Sequence, residues 1–139
     1  KVEKTRISFV SYSKKSLIEK EAKDIGGCFI SKDKSTVTWI NVDGLHDVGI
    51  IEKIGKHFGL HPLVMEDIVN TDQRPKVEDF IQHIFITLKI VYYDEQYNRI
   101  IAEHVSLVLG ANFVISFQER ESEVFSPIRQ RIKNIKGRG

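Results

Sequence analysis

Beyond Pro75 the apolar residues recur at every second position through three successive segments, and that pattern commits the chain to a multistranded sheet. Ile84, Ile86, Leu88, Ile90 and Tyr92 line one side of a long segment, with Phe85, Thr87, Lys89 and Val91 opposite. A period of two is the spacing of a β-strand, whose side chains alternate between faces. Asp94 to Asn98 is a polar stretch suited to a hairpin loop. Ile100–Leu109 and Phe113–Phe117 repeat the strand pattern, with a tight turn predicted at Gly110-Ala111-Asn112.

Upstream, the periods are mixed. Thr5 to Tyr12 reads as a strand with Ile7 and Phe9 on one side and Ser8 and Val10 on the other. Thr36 to Val42, β-branched around Trp39, reads as another. Leu17 to Ala22 fits either a short edge strand or a frayed helix, ended by Gly26-Gly27. Asp47 is placed to cap a helix carrying Val48, Ile51, Ile54 and Phe58, with Gly59 in the left-handed position at its end. Pro62 suits the first position of a second, short helix, and Asn70 a left-handed end. Ser126 and Pro127 open a last helix with a stripe of Ile128, Ile132 and Ile135.

This order predicts an α/β or α+β domain: a mixed, largely antiparallel sheet with helices packed on it. One sheet face is expected to be strongly apolar, and the other to carry Ser8, Thr38, Thr87, Ser106 and Ser116. Three helices leave part of a face for further sequence or a partner to cover. At 139 residues the chain fits one domain, 1–139. The single cysteine, Cys28, has no internal disulfide partner and sits in no basic partner pattern that marks a nucleophile. A net charge of +2 with interspersed signs argues against nucleic acid as a partner. The start at Lys1 carries no signal-peptide core. The best spanning candidate, Val105 to Phe117, is broken by Gly110 and Asn112, so the chain reads as soluble.

Glu66 and Asp67 are the residues that point to chemistry. Neighbours on a helix project about 100° apart, so together they offer one or two oxygens to one cation. Magnesium requires six oxygens and gives up its waters reluctantly, so the pair is at most half a site. The competing reading is a solvated outer face opposite Leu63, Val64 and Ile68. In Gln73-Arg74-Pro75-Lys76, Pro75 forces Arg74 into an extended conformation and closes off the helix. Arg74 is placed to pair with Glu66 or Asp67 or to cap helix carbonyls, but an exposed pair of that kind contributes roughly 0–1 kcal/mol, so the motif reads as scaffold. Among His46, His57, His61, His83 and His104 there is no metalloprotease spacing; Gly59 and Pro62 interrupt any helix through His57 and His61. His61 reads instead as a cap before Pro62. Arg129, Arg131, Lys133, Lys136 and Arg138 read as a solvated face, with anionic lipid as a minor option. A metal-dependent hydrolase built on Glu66, Asp67 and His61 is a second reading, and it needs a third ligand and an open coordination position.

The stretch from His61 to Phe80, His-Pro-Leu-Val-Met-Glu-Asp-Ile followed by Gln-Arg-Pro-Lys-Val-Glu-Asp-Phe, resembles the cytosolic-domain signature of the CorA family of magnesium and cobalt transporters. The resemblance continues in Val37 to Val42, His57 to Leu63, Ile84 to Lys89, Glu103 to Leu109 and Val124 to Arg129, and is loose before Gly27. It implies an α/β sandwich on the cytoplasmic side of the cell membrane, part of a homopentameric channel and not an enzyme. It implies that Mg2+ or Co2+ binds weakly between protomers and holds the closed state. By the same resemblance Asp67 and Glu66 supply one half of that regulatory site, and His61, Pro62, Arg74 and Pro75 shape the motif. The opposing carboxylate belongs to a stalk helix, and the membrane helices and pore-mouth Gly-Met-Asn are likewise absent from these 139 residues. Alone, the fragment is expected to be monomeric or dimeric. A related transporter that moves zinc is the alternative within the superfamily.

Overall fold

The computed structural model describes residues 5–14, 16–22, 35–45, 47–119 and 124–137. Seven strands form one sheet in the order β2-β1-β3-β7-β6-β5-β4. These are β1 (Arg6–Tyr12), β2 (Leu17–Ala22), β3 (Val37–Asp43), β4 (Lys76–Asp79), β5 (Ile84–Asp94), β6 (Arg99–Leu109) and β7 (Phe113–Gln118). The helices are α1 (Val48–Phe58), α2 (Pro62–Val69) and α3 (Ser126–Gly137). The alternative left open for Leu17 to Ala22 resolves as an edge strand, paired antiparallel with β1. The short β4 follows Pro75 directly and pairs antiparallel with β5.

The last strand joins the two halves of the sheet. β7 pairs in parallel with β3, Ile40 opposite Ile115, and antiparallel with β6, Val108 opposite Ile115. The other neighbouring pairs are antiparallel. A parallel partner demands a long crossover, and here the crossover contains α1, α2 and the β4–β5–β6 meander.

Alternation along this register fixes what each face carries. Ile7, Phe9, Ile40, Val42, Phe85, Val108, Ile115 and Phe117 point to the side covered by Ile51 and Ile54 of α1, Leu60, and Val64 and Ile68 of α2. On the other side Val10, Trp39 and Val105 pack with Phe125, and Leu88, Leu107, Val114 and Ile132 join them. Both faces are therefore apolar cores. The five hydroxyl residues expected on one face are divided: the register puts Thr38, Thr87 and Ser106 with the first core and Ser8 and Ser116 with the second. Coverage is incomplete on both sides of the β4–β5–β6 end. Val91, Tyr93 and Ile100 are 54–73% exposed on one face, and Val77 is 69% exposed on the other.

The local chemistry explains the helix ends. The Asp47 carboxylate accepts from the Ile50 N–H at 3.2 Å, capping α1. Gly59 ends α1 at φ 66°, a conformation glycine adopts without a Cβ penalty. Gly55 leaves room for Met65 of α2, because a Cβ there would collide with the Met65 side chain. Asn70 departs from expectation. It ends α2 extended, at φ −91° and ψ 95°, and its side chain accepts from the Asp72 N–H at 3.2 Å. On α3, Ile132 packs inward, but Ile128 is 48% exposed and the expected stripe is narrower; the side chain of Ile135 lies outside the described residues. The basic run is not purely solvated. Arg129 lies over the Trp39 ring at 5.1 Å and Lys133 pairs with Glu19 of β2 at 3.1 Å.

A buried polar chain crosses the parallel seam. Trp39 Nε1 donates to Ser116 Oγ at 2.9 Å, Ser116 donates to Asn41 Oδ1 at 2.6 Å, and Asn41 Nδ2 donates to Asp43 Oδ1 at 2.8 Å. Ser116→Ala strands the indole N–H and the amide oxygen, and buried groups left unpaired cost about 1–3 kcal/mol each. The expected loss of that order in urea unfolding free energy, with unchanged m-value, checks the assignment; a neutral substitution would refute it.

Two histidines are held inside. His83 sits in the β4–β5 turn, 8% exposed, its ring stacked on Phe80 at 5.1 Å. His104 is 2% exposed, with Nε2 3.2 Å from Ser106 Oγ. Burial pushes both below the usual histidine range; the His61 charge adds to this at His83, while at His104 Glu119 opposes it and Lys89 reinforces it. Because the folded values are depressed, the unfolded chain binds protons first as pH falls. Stability is thus fully present above the ordinary histidine pKa of about 6.5 and declines below it, at up to roughly 1.4 kcal/mol per pH unit per group. Denaturation between pH 8 and pH 5 should show a plateau and then a fall that His83→Gln reduces.

Candidate functional site

The site is assembled from α2 and the start of β4. His61 caps α2 as expected, its Nδ1 accepting from the Leu63 N–H at 3.1 Å, and its ring stacks on Phe80 at 5.5 Å. Pro62 takes the first helical position, where its missing N–H leaves no bond unmade. Val64 and Ile68 are fully buried and anchor the inner side of the helix. Leu63 does not join them. It is 56% exposed and shares an outward stripe with Glu66 and Asp67, three and four residues on. The solvated face expected opposite Leu63 is instead a mixed face with a leucine beside two acids.

Glu66 is exposed, and the Asp67 side chain is 24% exposed. Asp67 Oδ2 accepts from Lys76 Nζ at 2.7 Å, and Lys76 also reaches Glu78 Oε1 at 2.8 Å. The hydrogen bond to Asp67, then that to Glu78, raises the Lys76 pKa above the usual lysine value, so its charge is secure at neutral pH. The side chain that pairs with Asp67 is Lys76, two residues beyond Arg74. The carbonyls at the helix end are capped by Gln73, whose Nε2 donates to Asp67 O at 2.6 Å and Asn70 O at 2.9 Å. Arg74 contributes its carbonyl, which accepts from Thr87 Oγ1 at 3.2 Å and ties the Pro75 turn to β5. One sequence signal for the trio was available: Lys76 and Glu78 are two apart on a strand and so share a face. The contact with Asp67, across a turn, had none.

Among the described residues no group of three or more His, Cys, Asp and Glu side chains converges to hold a metal ion. His61, Glu66 and Asp67 do not form the ligand set a hydrolase needs, and the His61 ring nitrogen Nδ1 is engaged with backbone. His57 is exposed against Phe58; Cys28 and His46 lie outside the described residues. What the arrangement does offer is hard carboxylate oxygen at the surface, and Asp67 already holds a cation, the Lys76 ammonium. That donor chemistry suits Mg2+ or Co2+ as part of a coordination shell, with the remaining oxygens coming from water or another chain.

A family model described as "CorA-like Mg2+ transporter protein" matches residues 34–139. Among curated proteins, the cobalt/magnesium transport protein CorA of Thermotoga maritima is 42% identical over 131 residues, covering 94% of this chain and 37% of that protein. The chain thus spans a little over a third of that relative's length. Among solved structures, the full-length CmaX protein aligns with a TM-score of 0.71 at 14% identity, over 92% of this chain and 39% of that one. The soluble domain of CorA from Methanocaldococcus jannaschii aligns with a TM-score of 0.62 at 15% identity, over 91% and 46% respectively. At these identities the structural matches establish the shared fold. Among the described residues no helix is long and apolar enough to cross a membrane.

Proposed function

The chain belongs to the CorA-like Mg2+ transporter family, and on that premise we propose that it is a single cytosolic domain that senses divalent cations for a magnesium/cobalt transporter. Asp67, with Glu66 beside it, is one half of a regulatory site completed by a neighbouring protomer of a homopentamer. The observation that carries this reading is the outward stripe of α2, where a partly exposed carboxylate stands beside an exposed leucine. An exposed apolar side chain flanking acids suits a face that another protomer covers. The uncovered Val91, Tyr93 and Ile100 support further contacts outside this chain. The pore and membrane helices lie in sequence beyond these residues, and the domain sits on the cytoplasmic side of the membrane.

The chemistry follows from charge. Carboxylates brought together at a protomer boundary repel one another, and a bound Mg2+ or Co2+ neutralises them. Asp67 and Glu66 would hold the ion and couple its presence to subunit packing. Binding that favours one packing shifts the equilibrium by mass action: at a concentration 100-fold above the dissociation constant, each site contributes about 2.7 kcal/mol. Several equivalent interfaces bring that to the scale needed to switch a two-state ring.

The isolated 139-residue chain should bind Mg2+ or Co2+ weakly by titration calorimetry. Extending it with the downstream residues of its parent protein should tighten binding, and Asp67→Ala should abolish the gain. Unchanged divalent affinity in the extended Asp67→Ala protein would end the sensing assignment.

A further inference from the structure

We propose that Lys76 is a built-in competitor for the cation position on Asp67, and that Glu78 receives its ammonium when a divalent ion arrives. The inference rests on the reading of Asp67 as a metal ligand and adds the residues that set its affinity. Nζ lies between the two carboxylates, 2.7 Å from Asp67 Oδ2 and 2.8 Å from Glu78 Oε1. The three side chains come from two elements, α2 and β4, and are 24–39% exposed, so an incoming ion meets them without opening the core.

With the lysine in place, two carboxylates and one ammonium sum to a single negative charge, and one oxygen of Asp67 is already engaged. A divalent ion at Asp67 must therefore approach a like charge at hydrogen-bonding distance or move it. Moving it is inexpensive. Lysine carries a compact charge on a flexible four-carbon stem with three donors, so the ammonium retains one full partner by staying on Glu78. Glu78 then forms a neutral pair with Lys76, and Asp67 presents an intact carboxylate. The device raises the concentration at which the ion binds, and it disfavours monovalent ions, which bring no more charge than the ammonium they displace.

The test titrates Mg2+ and Co2+ into the 139-residue chain and its variants, with folding verified by thermal melting. Lys76→Met should tighten binding about threefold, in line with the modest worth of a solvent-screened pair at the surface. Lys76→Arg should weaken it, because a guanidinium fork holds a carboxylate bidentately and yields less readily. In the wild-type chain the Lys76 side-chain methylene NMR signal should shift during Mg2+ titration with the half-saturation of binding itself. That measurement stands even if a variant fails to fold. Asp67→Asn separates the two readings. Loss of binding in Asp67→Asn with no change in Lys76→Met or Lys76→Arg overturns the competitor and keeps the ligand. Unchanged binding in Asp67→Asn overturns the ligand assignment itself. A Lys76 signal that does not move at Mg2+ saturation, or a folded Lys76→Met chain with no detectable binding, overturns the competitor.

Discussion

The parallel pairing of β3 with β7 is the constraint on which this domain depends. It joins strands β2-β1-β3 to strands β7-β6-β5-β4 and aligns Ile40 with Ile115 and Val42 with Phe117, so that one continuous apolar face meets α1 and α2. A slip of one residue would turn every one of those side chains to the opposite face. The Trp39–Ser116–Asn41–Asp43 chain lies across the same seam, and its hydrogen bonds are satisfied when the strands are in register. The polar chain and the apolar face thus select the same pairing, a consistency that separates one fold from its neighbours.

From that seam the site follows by packing. Val64 and Ile68 anchor α2 on the sheet, and Gly55 admits Met65 between the helices. The outer stripe of α2 is then directed away from the core and toward the start of β4. Gln73 closes the helix end by bonding the Asp67 and Asn70 carbonyls, and the Arg74 carbonyl is held by Thr87. The backbone around Asp67 is therefore fixed even though its carboxylate remains at the surface. Rigid backbone with an accessible, exchangeable counter-ion is a suitable construction for a group that responds to cation concentration.

The partly exposed Asp67–Lys76–Glu78 trio lies at the surface and contributes little to stability, since solvent-screened pairs are individually weak. That weakness makes it useful for regulation. An ion pair held at small cost is displaced at small cost, whereas a buried one would lock the carboxylate away from any neighbour.

Much of this was legible in the amino-acid order. The period-two runs determined β5, β6 and β7, and Asp47, Gly59 and Pro62 marked helix ends through capping chemistry that acts over three or four residues. The acidic pair and its helix were equally plain. Local rules stopped where contacts span turns and strands. Whether Leu17 to Ala22 is strand or helix was decided by its pairing with β1. The separation of Thr38, Thr87 and Ser106 from Ser8 and Ser116 was decided by register between strands. Lys76, and not Arg74, reached Asp67 because pairing of β4 with β5 determines which side chain after Pro75 turns toward α2. Sequence specifies periodicity and caps because their physics is local; the partners of a charge depend on which distant segments share an edge, and only the folded sheet sets that.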